Sequence, residues 1–326
     1  MNQKEHKEDF LAYAFAESER MKWMGKQSLG KNYKCAAKRL QDFLELQGLE
    51  DLPIEKMNQK TIQQFEGWLH QQGISKNASS AYLRSLHAIY MRIEGDATTL
   101  KDPFTGTYRG VAKTRKRALT EEDVRQIAAF DIVRALRKEY LMAGKKTNSK
   151  RFLQKVQKLT FARDMFIFSF CARGMTYVDM AFLRKSDVRQ GVISYHRRKT
   201  GQSLQVKIEP DMQHIMDRYP SATTYQFPII HDCRNAHQTY TSYLSAISYY
   251  NKALTELGEL LGMKLSSYVV RHSWATIANE RVSTAFVSQS LGHESIRTTE
   301  IYLKTLTTSS IDQANHTLLL QLLHPR

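Results

Sequence analysis

The sequence predicts a mainly α-helical fold with a small β-sheet (an α+β fold), divided into two domains. Its 326 residues are enough for two domains that each bury a core. The composition is 42% hydrophobic and 10% aromatic with only 15 glycines and 6 prolines, which is typical of an ordered, helix-rich chain. Apolar residues recur at helical spacing along most of the chain, and one short stretch alternates as strands do.

The first domain is predicted over residues 1–110 as a small helical bundle. Apolar residues recur at helical spacing from about Leu29 to Leu46. A second helix is predicted from Asn58 to Gln72, where Gly73 is placed to end it. A third helix follows Ser75, and Arg84 lies outside its apolar stripe.

A linker separates this bundle from the second domain. Residues 95–118 lack periodicity and end in a basic run, so the linker is placed at residues 111–119 and the second domain at residues 120–326. Thr120, with Asp123 three residues later, is typical of a helix cap that opens the second domain.

The second domain contains the predicted sheet. Val192 to Arg198 and Leu204 to Ile208 are predicted as two strands, because apolar and polar residues alternate in the second of them. The turn between them runs from Lys199 to Gln202. Helices and loops are expected after Pro210, including one helix that begins near Ser266 or Ser267.

Positive charge is concentrated in the middle of the chain. Residues 1–110 hold 16 Lys and Arg against 14 Asp and Glu, whereas residues 113–207 hold 23 against 8 and residues 208–326 hold 9 against 10. Clustered cations neutralise phosphates and release counterions, so nucleic acid is the expected partner. A solvated basic surface is the alternative.

The three cysteines and the amino-terminal residues bear on the compartment. Cys35, Cys171 and Cys233 are odd in number and widely spaced, which favours reduced thiols over disulfides or a zinc site. No apolar run reaches the ~18 residues of a membrane span, and the first residues have no signal-peptide core. We therefore expect a cytoplasmic protein.

Three short motifs follow one another near the end of the chain. They are Arg271-His272, Leu291-Gly292-His293 and, nine residues past that histidine, Tyr302. A phenol beside cations and hydrogen-bond donors has what attack on a phosphodiester requires, namely a nucleophile and groups that stabilise the phosphorane charge. The order and spacing of these motifs resemble the tyrosine recombinase (phage integrase) family.

The resemblance implies a catalytic role for each of several residues. Tyr302 would attack the scissile phosphorus, while Arg271 and His293 would stabilise the transition state. Lys199, at the tip of the predicted hairpin, resembles the family's lysine that protonates the leaving hydroxyl. Tyr268 stands where most of the family has histidine, and we interpret it as a residue that positions the phosphate.

The chain departs from the family most clearly at the first catalytic arginine. The family usually shows Gly-x-Arg-x-x-Glu/Asp, but the matching stretch from Gly174 to Asp179 has Thr176 in the arginine's place. Some bacterial mobile-element integrases resemble this variant. By that resemblance Arg173, just before the glycine, substitutes for the missing side chain.

The resemblance further implies an N-terminal core-binding domain and a C-terminal catalytic domain that together clamp double-stranded DNA. Phosphate contacts are predicted for the basic residues Lys34, Lys38, Arg84, Lys113, Arg115, Lys116, Arg117, Arg197 and Arg198. No metal or other cofactor is expected, because paired carboxylates and a Gly-rich phosphate loop are not evident.

The resemblance also implies an assembly: a bacterial, nucleoid-associated homotetramer on DNA, with DNA-bending proteins as accessory partners. The apolar helix predicted over Leu318 to Leu323 would dock onto another subunit or pack against its own domain. Two other functions stay open: a catalytically weakened DNA-binding protein of the same fold, and a topoisomerase IB-like nicking and closing enzyme.

Overall fold

The computed structural model describes residues 9–93, 102–112, 118–231 and 235–292, with only the backbone of 236 and 237. It has two compact units, Met1–Thr114 and Arg115–Arg326. The described residues are mostly helical with one three-stranded sheet, which confirms the predicted fold class. None of the described helices has the length and apolarity that a membrane span requires.

Unit 1 is a helical bundle around one apolar core. Its helices are α1 (Phe10–Trp23), α2 (Gln27–Glu45), α3 (Gln59–Gln71) and α4 (Lys76–Ile93), with a 3-10 turn at Ile54–Lys56. Asn58 caps α3 by accepting a hydrogen bond from the Thr61 backbone N–H, and Gly73 follows this helix with φ of 71°. Gly73 therefore follows the end of this helix as predicted, and the helix begins at Gln59, one residue later than predicted.

Close approach of α1 and α2 depends on a glycine. A Cβ on Gly30 would lie 2.6 Å from the Ser18 carbonyl oxygen, a separation that real Cβ atoms do not show. The Ser18 hydroxyl also donates to the Gly30 carbonyl at 2.8 Å. These contacts allow the two helices to pack along one side, where each contributes several fully buried residues.

Glu17 is a buried carboxylate in unit 1, with a side chain only 3% exposed. It accepts hydrogen bonds from Arg20 on its own helix and from Arg92 at the end of α4. Burial alone would raise the pKa of Glu17, but the hydrogen bonds from the two arginines outweigh burial and hold it below its ordinary value. The ion pair between Glu17 and Arg92 thus joins α1 to α4.

Unit 2 surrounds the long helix α7 (Lys150–Cys171). The other elements are α5 (Glu121–Ala129), α6 (Ile132–Met142), α8 (Tyr177–Ala181), β1 (Val188–Arg189), β2 (Val192–His196), β3 (Ser203–Lys207), α9 (Pro210–Arg218), α10 (Ala236–Leu261), α11 (Val269–Asn279) and α12 (Thr284–Ser290). Phe166 and Phe168 of α7 are fully buried, and Phe168 meets Phe227 edge to face with ring centroids 4.8 Å apart.

The sheet of unit 2 is an antiparallel meander in the order β1-β2-β3. Ile193 pairs with Val206, and His196 pairs with Ser203 next to the turn of the hairpin. The predicted hairpin is therefore present, but β2 ends at His196, two residues earlier than expected. The arginine at 197 thus lies in the connection that carries Lys199.

Three further elements bear on the sequence predictions. Thr120 and Asp123 form the predicted capping box at the start of α5. Helix α11 begins at Val269, with Tyr268 at its N-cap, rather than near Ser266 or Ser267. Helix α1 was not predicted.

We expect Glu17→Gln to lower the free energy of unfolding by about 1–3 kcal/mol at pH 7, because the amide cannot pair with both guanidinium groups. The depressed pKa means that the parent's advantage is present above the ordinary pKa of a glutamate and is lost as the pH falls through the folded-state value. Urea unfolding at several pH values between 7 and 3 measures both effects.

Glu19→Gln is the matched control for this substitution. Glu19 lies on the same helix and pairs with Lys22, but its side chain is 64% exposed. We expect a change below about 0.5 kcal/mol. Equal losses for the two variants, or a Glu17→Gln loss that does not shrink in acid, would contradict the proposed role of the buried carboxylate.

Candidate functional site

Arg271 joins three segments of unit 2. It lies in the first turn of α11 and is 2% exposed. Its Nη1 donates to the Gly174 carbonyl oxygen at 2.9 Å, and its Nη2 donates to the Leu291 carbonyl oxygen at 2.5 Å. The side chain is thus fixed by backbone groups on either side.

Gly174 is fitted closely to Arg271. Its φ is 71°, and a Cβ there would lie 3.0 Å from the Arg271 Cα. The Gly174 N–H donates to the Ser169 carbonyl at 2.8 Å, which closes the end of α7. Glycine is required here both for the backbone conformation and for the space that α11 occupies.

Arg173 precedes this glycine and also has a left-handed backbone, with φ of 58°. Its side chain is partly buried, and its Nη1 lies 3.5 Å from the Gln205 carbonyl oxygen, at the limit of a hydrogen bond. The residue predicted to replace the missing arginine therefore lies at the junction of α7, β3 and the start of α11.

Tyr195 shows that several charges meet at this junction. Burial raises the pKa of its phenol, and Asp179 raises it further, whereas Arg271, Arg197 and Arg173 lower it. Three guanidinium groups and one carboxylate thus act on the same hydroxyl. This local excess of positive charge suits an anion.

Thr176 and Asp179 have a structural role in the described chain. The Thr176 hydroxyl donates to Asp179 Oδ2 at 2.6 Å, and the Arg198 backbone N–H donates to Asp179 Oδ1 at 2.9 Å. Asp179 is 3% exposed. Thr176 is the N-cap residue of α8, and Asp179 ties this helix to the hairpin.

The hairpin presents three consecutive basic residues in different ways. Arg197 is 5% exposed and donates from Nη1 to the Gly292 carbonyl at 2.6 Å. The Arg198 guanidinium lies 3.8 Å from the centroid of the Phe182 ring, a cation–π contact. Lys199 is exposed in the turn. Only Arg198 and Lys199 of these three present their side chains to the surface.

Tyr268 lies beside the first turn of α11, at its N-cap position. Its side chain is 48% exposed, and its ring meets His272 edge to face with centroids 4.7 Å apart. The phenol is three residues before Arg271, so both side chains belong to the same end of the helix.

Other residues in the prediction lie elsewhere. His293, Tyr302, the linker residues Lys113, Arg115, Lys116 and Arg117, and the segment Leu318 to Leu323 are outside the described residues. In unit 1, Lys34, Lys38 and Arg84 are exposed on α2 and α4. Arg84 lines a groove of about 360 Å³ between these two helices.

Sequence reasoning identified Arg197 as a basic residue but missed its burial. The alternation of the strand indicates this burial. Every second side chain of β2 points to the same face, and the two that precede Arg197 on that face, Ile193 and Tyr195, are buried. Side chains alternate across a strand, so the pattern continued by one residue directs Arg197 inward.

Two family descriptions match the chain. The phage integrase SAM-like domain matches residues 9–103, and the phage integrase family matches residues 145–308. No curated protein sequence matches it.

Solved structures show the same fold. A lambda integrase dimer bound to a COC' core site has a TM-score of 0.61 at 15% identity, over 89% of this chain and 94% of that one. A lambda integrase tetramer bound to a Holliday junction has a TM-score of 0.58 at 15% identity, over 86% and 72%. The Tn1549 transposon integrase with a circular intermediate DNA has a TM-score of 0.61 at 15% identity, over 95% and 99%.

We expect Gly174→Ala to destabilise unit 2 by at least about 1 kcal/mol more than Gly191→Ala. Both glycines have positive φ, at 71° and 75°, but a Cβ at Gly191 would meet nothing within 4 Å. The difference therefore isolates the contact with Arg271. Thermal unfolding of the two variants measures it, and equal losses would show that α11 can move away at no cost.

Proposed function

Because the chain belongs to the phage integrase family and is a DNA strand-exchange enzyme of the tyrosine recombinase class, we propose that Tyr302 is its nucleophile. The phenolic oxygen attacks the scissile phosphorus and forms a 3′-phosphotyrosyl bond, while the bond to the 5′ oxygen breaks and that oxygen leaves as a hydroxyl. Attack by a 5′ hydroxyl of another strand reverses the step and rejoins the DNA.

The position of Arg271 is the observation that carries this proposal. Its buried side chain is fixed between the Gly174 and Leu291 carbonyls, and Leu291 is two residues before His293 in the chain. A rigid cation next to the segment that leads to the nucleophile supports stabilisation of the phosphorane charge. Each of its two Nη atoms carries a second N–H besides the one that a carbonyl accepts, and these charge-assisted donors suit phosphate oxygens.

Four other residues carry the remaining catalytic roles in this proposal. Lys199, exposed in the hairpin turn, donates a proton to the leaving 5′ oxygen, which becomes a hydroxyl. His293 and Arg173 add positive charge and hydrogen bonds at the non-bridging oxygens. Tyr268, exposed beside Arg271, positions the phosphate with its hydroxyl.

We also propose how the chain is organised around DNA. Residues 1–110 form the helical DNA-clamp domain, 111–119 the basic linker and 120–326 the catalytic domain with a C-terminal docking helix. The named structures of lambda and Tn1549 integrases contain DNA, and one lambda assembly is a tetramer at a Holliday junction. By analogy, double-stranded DNA is the substrate and a homotetramer is the active assembly.

The basic residues give the DNA contacts of this proposal. They are Lys34, Lys38, Arg84, Lys113, Arg115, Lys116, Arg117 and Arg198. Arg197 was predicted with them, but its burial against the Gly292 carbonyl removes its guanidinium from the surface, so we do not retain it as a phosphate contact.

Thr176 favours one alternative, a catalytically weakened DNA-binding protein. Its hydroxyl is engaged by Asp179 at the position where the family has arginine. Tight DNA binding without covalent adduct would support this alternative. Relaxation of supercoiled plasmid without a need for a specific sequence would instead support a topoisomerase-like enzyme.

We expect Tyr302→Phe to abolish covalent attachment to DNA, because the variant lacks the attacking oxygen. The adduct is trapped on fragmented host DNA, and the attached ends are sequenced to obtain the target site. Nicked suicide duplexes of that site then give the rate. Tyr249→Phe is the control, since Tyr249 is an exposed tyrosine on α10. Adduct that survives in Tyr302→Phe would show that another residue is the nucleophile.

We expect Arg173→Ala to slow adduct formation on the same suicide duplex by about 100-fold, a typical effect of removing one group that stabilises an oxyanion. Arg189→Ala is the control, because Arg189 is an exposed arginine of β1 whose Nε donates to the Ser186 carbonyl. If Arg173→Ala cleaves as fast as the parent, Arg173 does not replace the arginine missing at position 176.

A further inference from the structure

We propose that Arg197 is a positioning residue, whose guanidinium fixes the Leu291-Gly292 turn from which the chain continues to His293. This inference rests on the proposed function, since it assigns to Arg197 the alignment of the segment that carries the proposed catalytic histidine and tyrosine. It differs from the DNA-contact role predicted for this residue.

The burial of Arg197 requires an explanation. The side chain is 5% exposed, and the ion pairs among the described residues of unit 2 do not include it. Its Nε is buried and has no hydrogen-bond partner within the described chain. Burying a guanidinium without a carboxylate opposes folding. Stability alone therefore does not account for an arginine at this position.

What Arg197 does contact is the Gly292 carbonyl, at 2.6 Å from Nη1. This carbonyl directly follows the one that Arg271 holds, because Arg271 Nη2 donates to the Leu291 carbonyl at 2.5 Å. Two guanidinium groups from different elements thus hold two consecutive peptide units. They lie at the C-terminal end of α12, where unpaired carbonyls favour positive charge.

Gly292 is packed directly against the hairpin. It has φ of 65°, and a Cβ there would lie 3.1 Å from Gln202 Oε1, 3.1 Å from Leu204 Cδ1 and 3.4 Å from Arg197 Cδ. Both the conformation and the lack of space favour glycine. The turn is therefore seated on the hairpin by shape as well as by the hydrogen bond.

Arg197 also anchors the turn that carries Lys199. Its N–H donates to the Gln202 carbonyl at 2.8 Å, and its own carbonyl accepts from the Gly201 N–H at 2.7 Å. The backbone of Arg197 holds the proposed general acid, and its side chain holds the approach to His293. One residue thereby fixes both the turn that carries Lys199 and the residue directly before His293, and small displacements of catalytic groups reduce the rate strongly.

The test uses the full chain and the suicide duplex of its own target site. We expect Arg197→Met, which retains most of the apolar packing, to lower the single-turnover rate of adduct formation by about 100-fold. The dissociation constant for the same duplex should change by less than about threefold, because Arg197 does not contact DNA in this proposal. Arg197→Lys should recover about tenfold of the lost rate.

Arg189→Met is the matched control, as an exposed arginine of the same sheet that also donates to a backbone carbonyl. Its rate should stay within about twofold of the parent, as is typical away from the reacting groups. A loss of DNA affinity in Arg197→Met with no change in rate would overturn the proposal, since it would make Arg197 a DNA contact.

A double-mutant cycle with Gly292→Ala separates positioning from a direct contact. The added methyl group displaces the turn from Arg197, so the double variant should be no more than about threefold slower than the slower single variant. Independent effects that multiply would overturn the proposal. If Arg197→Met does not fold, the same double-mutant cycle with Arg197→Lys distinguishes positioning from a direct contact.

Failure of the proposed function gives a different result. In that case the parent chain itself forms no adduct, and Tyr302→Phe behaves as the parent does. If the parent forms adduct and Arg197→Met forms it equally fast, the function stands and only the positioning role of Arg197 is wrong.

Discussion

The paired hydrogen bonds of Arg271 to the Gly174 and Leu291 carbonyls are the constraint on which the site of unit 2 depends. They join the end of α7, the first turn of α11 and the turn after α12. The end of α7 and the turn after α12 are irregular where they meet the arginine, whereas α11 is helical there. The arginine donates to one carbonyl of each turn, and both carbonyls belong to buried residues.

Much of this architecture was predictable from local sequence signals. The capping box at Thr120, the helix bounded by Asn58 and Gly73, and the hairpin all depend on residues within a few positions of one another. Helix α1 escaped prediction because its buried residues include Glu17, whose charge is paired with Arg20 on the same helix and with Arg92, a residue 75 positions away. No local pattern contains the second of these partners.

The candidate site was predictable in its residue types but not in its contacts. The chain order of the motifs identified Arg271, whereas its burial depends on carbonyls 97 and 20 residues away. Arg197 is the sharper case. Composition places it in a basic run, yet the parity of β2 directs its side chain inward. Arg197 is therefore buried because side chains alternate along the strand, although a guanidinium usually prefers water.

The replacement of an arginine by Thr176 changes how the charge of the site is assembled. A threonine there can donate to Asp179, and Asp179 then has an oxygen available for the Arg198 N–H of the hairpin. The position therefore contributes rigidity instead of charge. The positive charge must then come from side chains at neighbouring positions. Arg271, Arg197 and Arg173 are three such side chains, and each lowers the pKa of Tyr195. Arg197 and Arg271 donate to neighbouring carbonyls of one turn, Gly292 and Leu291. A change in the shape of that turn would therefore also move the two positive charges.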